Sequence, residues 1–274
     1  MPHKTAPAQP FTALVLAASR RGPDDPVARL QQKSHKCFVD IAGQVMLERV
    51  IDTLLESQQF RTVLVSIEQE ELLHSTARLK AWMDEGRIAF VQSEGTLADS
   101  VMAAAKAMDA PFPMVITTGD NSLHTPQLLR DFCESCRNST SSIGVGITPE
   151  KMVKDDYPDA PLAYHRFSEG AYSNCNLYML RDKQALASAE AFRGGGQFGK
   201  KHARLIKAFG FASFLYYKMR LKTAADFLMH VGRRFGTTAE PIIVPYAFAP
   251  IDVDNAASFK LSEDILLKRQ KAAQ

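Results

Sequence analysis

FTALVLAASRRGPDDPVARLQQKSHKCFVDIAGQVML, residues 11–47, decides how the rest of this 274-residue chain is read. It begins with Ala13-Leu14-Val15-Leu16-Ala17-Ala18, an uninterrupted apolar run of strand length. Such a run suits a strand buried on both faces, as in a parallel sheet covered by helices. A small-residue turn, Ala17-Ala18-Ser19, leads into Arg20-Arg21-Gly22 and a loop rich in Pro, Asp and Gly. Ser34-His35-Lys36 follows, then a second apolar patch, and Gly43 marks a turn before a helix that starts near Met46. Small residues let backbone N–H groups approach an anion, and nearby cations neutralise it. The order strand, turn, basic pair, loop, lysine therefore suits a polyphosphate. It equally suits an ordinary strand–loop–helix with surface basics.

Outward from this stretch, strand and helix patterns alternate. Strands are expected at Thr62–Ile67, Ile88–Val91, Pro113–Thr118, Ser142–Ile147, Tyr172–Leu180 and Pro241–Pro245. Helices are expected from Met46, over Glu70–Glu85 and Leu97–Met108, after the Thr125-Pro126 cap, over His202–Gly232 and over Ala256–Lys271. This alternation predicts an α/β fold with a doubly wound, mixed but mostly parallel sheet flanked by helices. Ligands in such sheets bind beyond the carboxyl ends of the strands. That rule puts the Ser19–Arg21 turn, Gly95-Thr96 and Gly119-Asp120 on one rim.

A hydrophobic fraction of 46% and a charged fraction of 23% describe a globular protein, and the length allows one large domain or two small ones. The expected division is a disordered leader over 1–10 and a single domain over 11–274, with 140–235 as an acceptor-binding and helical insertion region. A net charge of +3 is too weak to argue for a nucleic-acid partner. The leader lacks a signal-peptide core, and no run nears the roughly twenty apolar residues that span a bilayer, so a cytoplasmic protein is expected. Cys133 and Cys136 have CxxC spacing, but no second Cys/His pair stands near them in sequence, and helix packing is the expectation. Residues 204–234 mix aromatic and basic side chains. Helix-pair packing or a homodimer surface is expected there in preference to a membrane interface.

Asp120 follows a buried strand and a glycine, so it should project at the rim, where a carboxylate can hold Mg²⁺ beside substrate phosphates. Asp252 and Asp254 are one residue apart in an extended segment and face the same side. Each aspartate has a plain alternative as a cap or turn residue. Lys36 could reach phosphates as a point charge or simply be solvated. Asn174 and Asn176 alternate on one strand, and Lys200-Lys201 follow a glycine-rich stretch. These four are the acceptor-binding candidates.

Residues 13–22, ALVLAASRRG, and 36–50, KCFVDIAGQVMLERV, together resemble the signature of nucleotidyltransferases with the glycosyltransferase-A-like fold, roughly LAGGxGxR…PKxLxxxxGxPxL. Molybdenum-cofactor guanylyltransferase-like and sugar- or alcohol-phosphate nucleotidyltransferase branches are the most similar. The likeness continues in Gly95–Val101, Thr117–Asp120 and Ile251–Asn255. It implies a Rossmann-type three-layer sandwich and transfer of NMP from an NTP, CTP or GTP, to a phosphorylated small-molecule acceptor. It further implies that Ala17, Ala18, Ser19, Gly95, Thr96, Ser100 and Gly119 bind nucleotide. Arg20, Arg21 and Lys36 would be catalytic, and Asp120, Asp252 and Asp254 would hold Mg²⁺. Here Ala-Ala-Ser replaces the family's Ala-Gly-Gly, and Ser34-His35 stands where the family has proline before lysine. Two other readings are a nucleotide-sugar-dependent glycosyltransferase and a non-catalytic nucleotide-binding module. The first would place Asp-x-Asp where Gly119-Asp120-Asn121 stands.

Overall fold

The computed structural model describes residues 10–192 and 202–272. In chain order these form β1 (Phe11–Leu16), α1 (Pro26–Leu30), β2 (Asp40–Ile41), β3 (Gln44–Val45), α2 (Met46–Ser57), β4 (Phe60–Ile67) and α3 (Ala77–Asp84). Next come β5 (Ile88–Gln92), α4 (Leu97–Lys106), β6 (Met114–Thr118), α5 (Pro126–Asn138), β7 (Ile143–Pro149), α6 (Glu150–Asp156), β8 (His165–Arg166) and β9 (Ala171–Leu180). The chain ends with α7 (His202–Lys218), α8 (Ala224–Arg234), β10 (Ala239–Ile243) and α9 (Ala256–Ala272).

The main sheet has the order β10-β7-β9-β6-β1-β4-β5, with β8 added alongside β9. Neighbours are parallel except for β9, which runs antiparallel to β6, β7 and β8. The α/β, mostly parallel sandwich expected from the alternation is the fold observed. β1 lies near its centre, and period-two alternation sends its side chains into two cores. Ala13 and Val15 face Leu47, Val50, Ile51 and Leu54 of α2, with Leu128, Leu129 and Phe132 of α5 in the same cluster. Leu14 joins Leu64, Met114 and Ile116 against Val101 and Ala104 of α4. The α2 residues fall at the i, i+3, i+4, i+7 spacing of one helix face, which is why that segment is helical and where it packs.

Register fixes the rim. Leu16 is level with Ser66 on one side and Thr118 on the other, so the loops leaving β1, β4 and β6 emerge together. A third apolar cluster then fastens three distant segments there. Val27, Val39 and Ile41 from the first loop meet Leu123 after β6, and Ile251, Val253, Ile265 and Leu266 from the C-terminal region.

Several elements differ from the sequence expectation. The helix expected over Glu70–Glu85 is a 3-10 turn, Glu70–His74, followed by α3. Thr76 is extended and its hydroxyl accepts from Leu79 N–H at 3.2 Å, so a cap starts a fresh helix there. The helix expected over His202–Gly232 is α7, kinked at Gly210, and then α8. Arg220 adopts a left-handed φ of 53°, and Thr223 caps α8 by accepting from Asp226 N–H at 3.0 Å. α1 and α6 were not expected. Both are too short for a full hydrophobic period, and α6 buries only Val153. Residues 1–9, and with them most of the expected leader, lie outside the described residues, as do Lys200 and Lys201.

Candidate active site

The rim is built from the turn after β1. Ala17 N–H still donates to Ser66 O at 2.9 Å, then the chain leaves the sheet at Ala18. Ser19 Oγ accepts from Gly22 N–H at 2.9 Å, and Gly22 adopts a φ of +51°, which a glycine takes without strain. Ser19 N–H donates to Glu68 Oε1 at 2.7 Å, while His35 Nε2 lies 3.0 Å from Glu68 Oε2. A backbone N–H of the turn is thus already occupied by an anion. Arg20 and Arg21 are exposed; Arg21 O accepts from Asp24 N–H at 3.0 Å, but neither guanidinium makes a hydrogen bond or ion pair among the described residues.

Beyond β6, Gly119 lets this turn come close. A Cβ placed on it would lie 3.3 Å from Cys37 Cβ and 3.4 Å from Ala17 Cβ. Its missing side chain is a packing requirement as well as a feature of the rim. Asp120 follows it. It stands at the rim and is buried there, with Lys36 Nζ donating to its Oδ2 at 2.5 Å and Thr118 Oγ1 to its Oδ1 at 2.5 Å. Lys36 Nζ also donates to Asp254 Oδ1 at 2.7 Å.

The aspartate segment 251–254 is held by alternation. Ile251 and Val253 are fully buried, so Asp252 and Asp254 face the opposite way. Val253 N–H donates to Asp120 O at 3.2 Å, which ties the segment to the β6 loop. As a result Asp120, Asp252 and Asp254 each present an oxygen within 4.8 Å of the others. Asn176 supports this group, donating from Nδ2 to Asp252 Oδ2 at 3.0 Å and toward Asn121 Oδ1 at 3.4 Å. It does so from a left-handed φ of 51°, where the β7–β9 register shifts and its neighbour Asn174 accepts Asn176 N–H at 2.7 Å. The Asn174 side chain also donates to Tyr178 OH at 2.7 Å.

Charge is uneven in this cluster. Burial alone would draw the Lys36 ammonium down, but Asp120 and Asp254 outweigh it and hold the group well above the ordinary lysine value. Burial pushes the Asp120 carboxyl up, and Lys36 with the Thr118 hydroxyl overcomes this and holds it below the ordinary value. Asp252 makes no direct ion pair with Lys36, whose charge offsets its surroundings only in part. Burial, reinforced by the negative charges of Asp120 and Asp254, pushes it up to about 7. Three carboxylates therefore share one ammonium, a donor set of hard oxygens with unspent negative charge that fits a divalent cation such as Mg²⁺.

At the β5 end of the rim, Thr96 caps α4, accepting from Asp99 N–H at 3.1 Å, and Ser100 Oγ accepts from Glu94 N–H at 2.8 Å. Both hydroxyls are engaged in shaping the loop, which leaves Gly95 with open space beside it. Cys133 and Cys136 are buried in the α5 core, where burial pushes both thiols up, Cys133 to about 12. Sequence reasoning missed Glu68, Thr118 and Asn121 as parts of the site. Glu68 carried a usable signal, since it is a charged residue directly after the buried end of β4.

A doubly wound sheet with an anion-receptive turn after its central strand and a carboxylate cluster after its neighbour defines a glycosyltransferase-A-like, nucleotide-handling class. The MobA-like NTP transferase domain family matches residues 13–207. The chain belongs to this family. Over 134 residues it is 31% identical to the 2-C-methyl-D-erythritol 4-phosphate cytidylyltransferase of Rhodococcus jostii (strain RHA1), covering 49% of this chain and 54% of that relative. The chain thus spans about half the length of the curated relative it matches. A transferase structure from Thermus thermophilus, described as hypothetical, has a TM-score of 0.72 at 19% identity, covering 92% of this chain and 100% of that one. CMP:2-keto-3-deoxy-manno-octonic acid synthetase complexed with CTP has a TM-score of 0.59 at 13% identity, covering 95% and 100%. At these identities the structural likenesses show the fold.

Proposed function

We propose that the protein is a Mg²⁺-dependent nucleotidyltransferase that moves NMP from an NTP to a phosphorylated small molecule. An acceptor phosphate oxygen bonds to the α-phosphorus while the bond to pyrophosphate breaks, and pyrophosphate leaves with the electron pair. The observation that carries this reading is the meeting of Lys36, Asp120, Asp252 and Asp254 at one strand rim, beside a turn whose N–H already holds a carboxylate. CTP is the first candidate among the nucleotides, because the curated relative is named a cytidylyltransferase. GTP remains the second.

Asp120, Asp252 and Asp254 would hold the metal, which when bound offsets triphosphate charge and polarises the reacting phosphoryl group. The N–H groups of Ala18 and Ser19, next to Ala17 at the end of the sheet ladder, with Arg20 and Arg21, would take the triphosphate. There the incoming anion competes with Glu68 for Ser19 N–H. Lys36 would turn from Asp254 toward charge that develops on the α-phosphate, a positioned cation at low dielectric. The open loop at Gly95 and Thr96, with Ser100 fixing its shape, would border the base, and Gly119 would keep the turn close. Asn176 would hold Asp252 in place and Asn174 would lie toward the acceptor, while Lys200 and Lys201, outside the described residues, would supply charge for its phosphate. Little covalent work falls to the chain, so orientation supplies most of the rate.

Pyrophosphate release tests the proposal. The protein is incubated with each NTP, Mg²⁺ and a panel of phosphorylated metabolites. Release with one NTP and one acceptor, abolished by EDTA, is the expected result. Binding without turnover for every pair, or sugar transfer from a nucleotide-sugar, contradicts it.

A further inference from the structure

α7 and the turn after it present two unlike faces. Inward, Ser213 is buried, Tyr217 OH meets His165 Nδ1 at 2.9 Å, and the Tyr217 ring packs on Phe167 and Phe227. Outward, Phe211, Leu215 and Met219 recur at every fourth residue, one stripe along the helix. Phe211 is 65% exposed, Met219 59% and the adjoining Leu221 57%. Five of the eight large exposed apolar side chains among the described residues lie within 206–221, so this exposure is local to one surface.

The same surface is basic. Over the described residues 210–225 the sequence has three cations, Lys218, Arg220 and Lys222, and no Asp or Glu. Lys218 and Arg220 are exposed beside the stripe, and Lys222 lies over the Tyr216 ring at 4.7 Å. Arg233 and Arg234 at the end of α8 extend the patch. The Arg234 guanidinium stands 3.0 Å from where a Gly210 Cβ would be, which brings it against the α7 kink. Asp226 and Glu169 are engaged with the start of α8.

A second copy of this chain is a poor match. Two-fold pairing would set the basic patch against itself, and like charges facing each other oppose association. Nucleic acid would leave Phe211, Leu215, Met219 and Leu221 without an apolar partner. An anionic bilayer surface satisfies both features, because acyl chains take the apolar stripe and headgroups take the cations. We propose that the outer face of α7, with Lys218, Arg220, Lys222, Arg233 and Arg234, docks the protein on anionic membrane, lying in the interface without crossing it. Among the described residues no helix is long and apolar enough to cross a membrane.

Co-sedimentation of the purified full chain with phosphatidylcholine vesicles, with and without phosphatidylglycerol, tests this. Binding to the anionic vesicles should be at least about tenfold tighter than to the neutral ones and should weaken in high salt. Phe211→Ser with Met219→Ser, and separately Lys218→Glu with Arg220→Glu, should each reduce it about tenfold or more while the circular-dichroism melt is unchanged. Light scattering runs alongside. No pelleting on anionic vesicles, equal pelleting on both kinds, or a dimer that the serine variant dissociates without any vesicle binding would each overturn the proposal.

Discussion

Lys36 balances two carboxylates at once, and its removal would leave buried negative charge without a partner. For Lys36→Met we expect a loss of roughly 3 kcal/mol in EDTA, since breaking a buried pair strands its charged partner. Mg²⁺ should restore much of this loss, whereas wild type gains less from the ion; thermal melts with and without Mg²⁺ check the difference. Turnover should fall by about two to three orders of magnitude, the usual cost of losing one preorganised electrostatic group. Asp252 adds a pH dependence. With its carboxyl at about 7, a proton competes with the metal below that pH, and Mg²⁺ affinity should drop as the solution is acidified from 8 to 6. Calorimetric titration at three pH values reads this out, and Asp252→Asn should flatten the dependence. The pairing of Lys36 with Asp120 was not legible in the sequence, because the two are 84 residues apart and either one alone looks like a surface charge.

Elements set which of these side chains meet. Thr125 caps α5 by accepting Leu128 N–H at 3.2 Å, and this was readable from Thr-Pro before an amphipathic run. Thr125→Ala should cost about 1 kcal/mol in denaturant unfolding. The breaks inside the expected 70–85 and 202–232 helices were hidden for the opposite reason. Both segments keep enough apolar spacing to look continuous, and a single capping threonine or left-handed arginine decides otherwise. Ile251 carries more of the site than its chemistry suggests, for it anchors the Asp252–Asp254 segment among Val27, Leu123 and Ile265. Ile251→Ala should destabilise by about 2–4 kcal/mol. It should also weaken metal binding, unlike a core truncation of similar cost in α5 such as Leu129→Ala. Glu68 links the loops after β1 and β4. Glu68→Gln retains an acceptor for Ser19 N–H but removes a negative charge from the anion-receptive turn, so NTP affinity should rise several-fold, least at high salt.

Across the whole molecule two buried groups oppose each other in the metal-free protein. His124 donates from Nε2–H to Ala249 O at 3.0 Å, and burial holds the ring neutral, lowering it to about 4. Its contribution to stability is present above the unfolded value near 6.5 and is lost as pH falls toward 4, because the unfolded chain then binds a proton the fold refuses. Asp252 runs the other way. Its folded value of about 7 lies above 3.8, so its contribution is full at low pH and is lost as pH rises through 7. The two slopes should nearly cancel between pH 4 and 6.5. In Asp252→Asn the His124 slope should emerge as a gain of about 3 kcal/mol over that interval. The sheet and its rim were legible because strand–helix alternation and the carboxyl-end rule act along the chain. The third apolar cluster was not, because it joins residues from three distant segments whose patterns are each ordinary.

The central claim is that carboxylates from two ends of the chain form one divalent-cation site at the strand rim. Electron paramagnetic resonance of Mn²⁺ in the presence of CTP, comparing wild type with Asp120→Asn and Asp252→Asn, tests it most directly. The account predicts one bound ion per chain in wild type and affinity weakened at least about tenfold in each variant, both remaining folded. Equal binding in all three proteins would contradict it.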